Sequence, residues 1–423
     1  MPSISPVNVF TPASEVQDIQ RFAGRAGELQ SLAVALESEG VQIVIYGNRG
    51  VGKSSLARLL DRMARGDMEA IDRLGVPPDQ PFDYLTVYFA CDDSVDSIPR
   101  LLLRLLSDDA ALASWVPFKV TETEGKNSFT GRLDVKVLTF EGSDVGSIKH
   151  AVKELETDVV SVFCNAIDNL ASSNVAGGGL LLIIDEFDRI RDRAGLASLM
   201  KTLAPLGVTF ALVGVATTVQ DLITEHESVA RQLSDGTIFV PPMTRDEMQD
   251  IFNRAESLLD RDIAFSPEAR DWIIDVARGH PYYVHLIGKH SLLKAIETGN
   301  AIVTQEAAQA ALREIALKGS APIQESTYKT AIGHSYTREF ILKAFSRVEN
   351  DEIHTTDLYA QVAKSLGIES GAVSVYVGHL SSEKYGRVLE KTRERYYRFR
   401  DSLFKAYAAA RPWQLDPTDQ EDA

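Results

Sequence analysis

Cysteine is scarce: Cys91 and Cys164 are the only two in 423 residues. That is too few for a disulfide framework, and neither has a second Cys or a Cys/His cluster nearby that would make a zinc site. A reducing cytoplasm is the compartment this usage fits. Long apolar runs are missing as well. No stretch approaches the roughly 20 residues of a membrane span, so no membrane partner is expected, and Met1 to Pro12 has neither the basic residues nor the apolar run of a signal peptide. Positive charge is in deficit, with 44 Lys and Arg against 60 Asp and Glu and a net charge of -16. Such a balance repels polyanions unless basic side chains gather on one face, so nucleic acid is not the default partner.

What is present is the material of an ordinary globular protein, 44% apolar and 25% charged, which excludes wholesale disorder. The chain is too long for one core, since cores stop growing beyond roughly 250 to 300 residues. Residues 1–20 read as an N-terminal arm lying on the surface. Helical spacing follows at Leu29, Leu32 and Leu36, then a short apolar run at Val41 to Tyr46. Further runs at Leu85 to Ala90, Leu180 to Ile184, Val208 to Val215 and Thr237 to Val240 alternate with helical segments, which predicts an α/β fold with a parallel sheet over residues 21–242. Alternation from Phe118 to Phe140 predicts an inserted antiparallel hairpin, at about 116–146. After Pro242 the strand signals cease. Residues 243–320 read as a helical lid of four short helices, with Ser266 and Thr304 as caps. Residues 318–330 read as a linker and 412–423 as a disordered acidic tail. Between those, at 330–411, three helices, two short strands around Arg393 and Glu394 and a closing helix make a winged-helix pattern.

Gly47-Asn48-Arg49-Gly50-Val51-Gly52-Lys53-Ser54 fits the phosphate-loop pattern G-x-x-x-x-G-K-[ST] and falls between a buried strand and a helix. Glycines let the backbone curl so that N–H groups meet phosphate oxygens, and the following helix adds its positive end. Lys53 would reach the β- and γ-phosphates, Ser54 would hold Mg²⁺, and Ser55 completes the set. The run Leu180 to Ile184 ends in Asp185-Glu186. Asp185 would orient the Mg²⁺ shell and Glu186 would polarise the attacking water, because phosphoryl transfer is catalysed mainly by positioning and charge stabilisation. Asp188 and Arg189 read as a solvated helix start.

These residues resemble the AAA+ and STAND ATPases over about residues 20 to 300. The resemblance implies ATP and Mg²⁺ as cofactors and an extra strand between the phosphate-loop strand and the Asp-Glu strand, for which Val208 to Val215 is the candidate. Phe22-Ala23-Gly24-Arg25-Ala26-Gly27-Glu28 looks like the family's G-R-x-x-E box, which puts Phe22 near the adenine; taken alone it is also a helix-capping turn. Thr217 stands where the family has a polar sensor of the γ-phosphate, and is equally a cap. Gly279-His280-Pro281 looks like the lid motif whose proline meets the base, although a proline often starts a helix. Arg231 stands where some members have an arginine finger acting across a homo-oligomer; an exposed helix arginine is the other reading. No arginine occurs from Gly279 to Ala295, which departs from the replication-initiator branch.

Tyr336 to Arg411 holds 13 Lys or Arg against 10 Asp or Glu. The recognition-helix candidate, Ser370 to Ser382, has no Lys or Arg, poor equipment for reading bases. Arg393, Arg395, Tyr396, Tyr397, Arg398 and Arg400 would grip DNA phosphates without sequence preference, or fill and dock the hairpin. The expectation is an ATP-binding, ATP-hydrolysing protein that couples nucleotide state to a DNA or protein effector. The alternative is a slow nucleotide-gated signalling or defence switch with little turnover and no DNA binding.

Overall fold

The computed structural model describes residues 5–72, 78, 80–115, 145–172, 176–223, 226–259, 263–318, 321–350 and 352–416. The hairpin expected from Phe118 to Phe140 lies outside the described residues.

The first half of the chain runs α1 (Ala26–Glu37), β1 (Ile43–Gly47), α2 (Lys53–Ala64), α3 (Met68–Ile71), β2 (Tyr84–Ala90), α4 (Ile98–Ser107), α5 (Val145–Ser172), β3 (Gly179–Asp185), α6 (Leu196–Leu203), β4 (Val208–Val215), α7 (His226–Leu233) and β5 (Thr237–Phe239). The five strands form one parallel sheet in the order β2-β3-β4-β1-β5. Their apolar runs are explained by this arrangement, since a parallel sheet is covered on both faces. One face, with Val44, Leu182 and Leu212, packs on α4, α5 and α6; the other, with Ile45, Ile183 and Val213, packs on α1 and α2. β4 lies between β3 and β1, the extra strand expected at Val208 to Val215. Gly47, where β1 turns out of the sheet, has no room for a side chain: a Cβ there would sit 2.4 Å from the Val240 carbonyl.

The second half continues with α8 (Arg245–Ser257), β6 (Ala264–Phe265), α9 (Pro267–Ala277), α10 (Pro281–Thr298), β7 (Ile302–Val303) and α11 (Gln305–Lys318). Ser266 and Thr304 cap as expected, accepting from the Ala269 and Ala307 amides at 3.2 and 3.3 Å. Strands do not cease after Pro242, because β6 and β7 pair in parallel; each is two residues long, too short for a periodic signal. Then come α12 (Pro322–Ile332), α13 (Tyr336–Ser346), β8 (Ile353–His354), α14 (Thr355–Leu366), α15 (Ser370–Leu380), β9 (Leu389–Arg393), β10 (Tyr396–Phe399) and α16 (Ser402–Ala410), with a small antiparallel sheet ordered β8-β10-β9.

Three expectations change. The linker expected at 318–330 is helix from Pro322 onward: α12 buries Tyr328, Ala331 and Ile332, and one hydrophobic cluster includes residues of α8–α11 and of α12–α16. The start of the acidic tail is ordered. Trp413 stacks on Tyr336 at 5.8 Å between ring centroids, and the Gln414 and Leu415 amides donate to the Glu339 carboxylate at 2.7 and 2.8 Å. The N-terminal arm is not superficial either. Phe10 is fully buried among Phe252, Phe265 and His285, in a socket that opens at Gly288, where a Cβ would come within 2.8 Å of the Phe10 ring. Single aromatics in polar surroundings carry no periodic signal, so this anchor was invisible. Among the described residues no helix is long and apolar enough to cross a membrane.

Truncating a buried phenylalanine costs about 3 to 5 kcal/mol. We therefore expect Phe10→Ala to lower the urea midpoint of the segment containing α8–α16; an unchanged midpoint would show that the arm adds nothing to that core.

Candidate functional site

The parallel strands β1, β3 and β4 all end at one edge of the sheet, and ligands of open α/β folds bind beyond that edge. A cleft of about 1120 Å³ lies there. It is large for a small-molecule site, for which roughly 300 to 1,000 Å³ is usual. Asn48, Arg49, Gly50, Gly52, Lys53, Ser54 and Ser55 line it from the phosphate loop, Asp185 and Glu186 from the end of β3, Thr217 from beyond β4, and Pro281 from the start of α10. Gly47 and Val51 do not line it; their carbonyls accept from Lys53 and Arg25. Phe22 and Arg231 do not line the cleft: Phe22 is buried with Leu29 and Ile45 under the sheet, and Arg231 is exposed on α7.

The loop owes its shape to two cations. Lys53 Nζ donates to the Gly47 and Asn48 carbonyls at 3.0 and 2.8 Å, and buried Arg25 donates from Nη2 to the Val51 carbonyl at 2.6 Å. Gly50 and Gly52 adopt left-handed φ of 78° and 100°, which glycine takes without steric cost. Burial pushes Lys53 down to about 8, with Asp188 and Asp185 pulling it back up and the Arg49 charge lowering it further. An anion in the cleft would favour its charged form. Arg25 also pairs with Glu28 at 3.0 Å, while its amide donates to Glu247 of α8 at 2.7 Å. Arg25 thus ties the loop to α8; the G-R-x-x-E pattern is visible in the sequence, but these partners lie too far along the chain to be inferred.

Asp185 is buried at the tip of β3, where Oδ1 accepts from the Glu186 amide at 2.8 Å and Oδ2 from the Tyr88 hydroxyl at 2.5 Å. Glu186 has a left-handed φ of 53°, a conformation rare outside glycine that tends to collect at functional sites. Its carboxylate is ion-paired with Arg189, which also reaches Asp93 at 2.8 Å. Asp188 is more than a solvated helix start, since its Oδ1 accepts from the Val215 amide at 2.9 Å and it lines the cleft. Thr217 lines the same cleft, and its hydroxyl donates to Asp221 at 3.0 Å, so the residue is also part of a local cap. Among the described residues no group of three or more His, Cys, Asp or Glu makes a metal cage. The Ser54 hydroxyl and the Asp185 carboxylate are hard oxygen donors on one cleft, a set that fits Mg²⁺, which keeps water and substrate phosphate oxygens as its other ligands.

Two walls of the cleft were not foreseen. One is the N-terminal segment from Thr11 to Val16. The other is the C-terminal sheet, which brings in Glu390, Arg398, Phe399 and Arg400, with Asp401 and Lys405 beyond them. Arg398 is ion-paired with Glu390, and Arg400 stands 4.0 Å from the same carboxylate.

The sheet order, the phosphate-loop motif after β1 and the acidic pair after β3 make a parallel α/β core of the P-loop kind. The family model described as the AAA ATPase domain matches residues 21–213. No curated protein matches the chain. Among solved structures, similarity extends to Cdc6p from Pyrobaculum aerophilum, at 13% identity over 96% of this chain and 97% of that one, with a TM-score of 0.47. The ORC1 protein of Aeropyrum pernix in complex with DNA gives 17% identity over 96% and 97% and a TM-score of 0.44. The Thermotoga maritima RuvB Holliday junction branch migration motor gives 16% identity over 90% and 96%, with a TM-score of 0.43.

His285, one turn into α10, is buried and accepts from the Thr11 amide on Nδ1 at 3.3 Å. Burial first, then the Arg21 charge, pushes it down to about 4. An unfolded histidine titrates near 6.5, so between about pH 6.5 and 4 the unfolded chain binds the extra proton and stability falls as pH falls. We expect His285→Gln, which keeps an acceptor but does not titrate, to lose less stability than wild type between pH 7 and pH 5 in urea denaturation. Equal losses would contradict the assignment.

Proposed function

We propose that the protein binds ATP with Mg²⁺ in this cleft, hydrolyses it, and couples the nucleotide state to a DNA or protein partner through its C-terminal winged-helix module. The observation that carries the reading is that one cleft is lined by the phosphate loop, the Asp185-Glu186 pair, the lid proline and the C-terminal sheet together. Lys53 and the loop amides would bind the triphosphate. Pro281, whose Cγ lies 3.9 Å from a Cβ built on Gly52, would meet the base side of the nucleotide, and Thr217 would meet the γ-phosphate. Bound Mg²⁺ neutralises phosphate charge; Ser54 and Asp185 would hold it. Glu186 would accept a proton from the attacking water once its carboxylate leaves Arg189.

Domain bounds of 21–242 for the ATPase unit, 243–320 for the lid and 330–411 for the winged helix divide these roles. Because α8–α11 and α12–α16 share one hydrophobic cluster, a lid shift driven by nucleotide would carry the C-terminal sheet with it. Arg393 is paired with Glu352 at 2.9 Å, and Arg398 with Glu390, which leaves the wing less charge for gripping DNA than the sequence implied. The pairing of Glu186 with Arg189 and of Arg393 and Arg398 with Glu352 and Glu390 is the observation behind a second reading, a slow nucleotide-gated switch working on a protein effector. Arg231, exposed and outside its own cleft, would act only across a homo-oligomer; a single-chain species in every nucleotide state would exclude that role. A reducing cytoplasm is the proposed setting, in keeping with free Cys91 and Cys164.

Lys53→Ala should abolish nucleotide binding measured by calorimetry, while Glu186→Gln should bind ATP and lose about 100-fold or more of its turnover. Wild-type turnover in Glu186→Gln would remove the catalytic assignment. Steady-state turnover with and without DNA separates the two readings: stimulation by DNA supports the DNA-coupled ATPase, and a slow, unstimulated rate supports the switch.

A further inference from the structure

Asp185 does not stand alone at the end of β3. β2 and β3 pair in register with Tyr88 beside Ile183, and residues 183 and 185 share a face of the strand. The Tyr88 phenol is thereby carried to the Asp185 carboxylate, where its hydroxyl donates to Oδ2 at 2.5 Å. The ring is pinned from above: the Arg58 guanidinium lies 3.4 Å from its centroid, a cation on the negative face of an aromatic ring. Arg58 sits one helical turn after Ser54 on α2, and its far side pairs with Glu15 at 3.2 Å. Glu15 is itself fastened. The Val16 amide donates to the Ser55 hydroxyl at 3.0 Å and Arg62 donates to the Gln17 carbonyl at 3.2 Å, so residues 15–17 lie along the 55, 58, 62 stripe of α2.

A hydroxyl that only needed a partner inside the fold could take a backbone carbonyl. Here it is spent on the carboxylate at the cleft, and a charged clamp from the N-terminal segment fixes the ring that carries it. We propose that Tyr88 is a positioning residue for Asp185, locked by Arg58 and Glu15, so that the N-terminal segment sets how well the site holds Mg²⁺. This rests on the nucleotide reading above. Tyr88 and Arg58 carry no motif signal and were passed over in the sequence.

The test follows binding of a fluorescent ATP analogue to the full chain as free Mg²⁺ is titrated, with a parallel measurement in EDTA. Partners of metal-site carboxylates typically change metal affinity about 10- to 100-fold when removed. Tyr88→Phe should therefore raise the half-saturating Mg²⁺ concentration about ten-fold or more while leaving affinity in EDTA as in wild type, and Glu15→Gln should shift it in the same direction by less. A wild-type Mg²⁺ curve in Tyr88→Phe, or an equal loss in EDTA, would overturn the proposal. If Tyr88→Phe does not fold, Arg58→Gln, which keeps the phenol but unpins it, decides on the same readout. Wild-type protein that binds no nucleotide in either condition would overturn the nucleotide reading instead.

Discussion

The grip of Lys53 and Arg25 on the carbonyls of the phosphate loop is the constraint on which the site depends. A loop that turns its amides toward a cleft must satisfy its carbonyls elsewhere, since buried polar groups without partners cost free energy. Here Lys53 takes the Gly47 and Asn48 carbonyls and Arg25 takes that of Val51. Arg25 is held in turn by Glu28 and, through its amide, by Glu247 of α8. The loop's shape is therefore fixed jointly by the segment before it, the helix after it and α8 across from it.

The same economy appears at the acidic edge. Tyr88, Arg58 and Glu15 form a line of contacts from Asp185 back to the N-terminal segment. That segment then continues to Phe10, buried in the lid. One short stretch of chain thus touches the phosphate-loop helix, the acidic strand through its partners, and the lid. It gives the two sides of the cleft a common fastening.

The parts of this architecture written in local pattern were legible in the sequence. Continuous apolar runs announced the strands, because strands covered on both faces have no polar side to show. The phosphate-loop motif and the Asp185-Glu186 pair were legible as residue types at fixed spacing, and both line one cleft. Ser266 and Thr304 were recognisable as caps for the same local reason. What stayed hidden depends on contacts between distant segments: Phe10 in its Gly288 socket, the Arg25–Glu247 clasp, the Tyr88 phenol, and the C-terminal sheet turned toward the cleft. The arginines from Arg393 to Arg400 stand out in the sequence as a charged cluster, yet only the fold supplies Glu352 and Glu390 as partners of Arg393 and Arg398. The linker and tail were misjudged because α12 and residues 412–416 are tied by long-range burial and by Glu339, not by periodicity.

The central claim is that the phosphate loop, the lid and the C-terminal sheet enclose a single nucleotide site. Hydrogen–deuterium exchange of the full chain with and without ATP and Mg²⁺ tests it most directly. Slower exchange in residues 47–55, in 281–285 and in 389–400 together is the predicted result. Slowing confined to 47–55, with the C-terminal sheet exchanging as in the free protein, would contradict it.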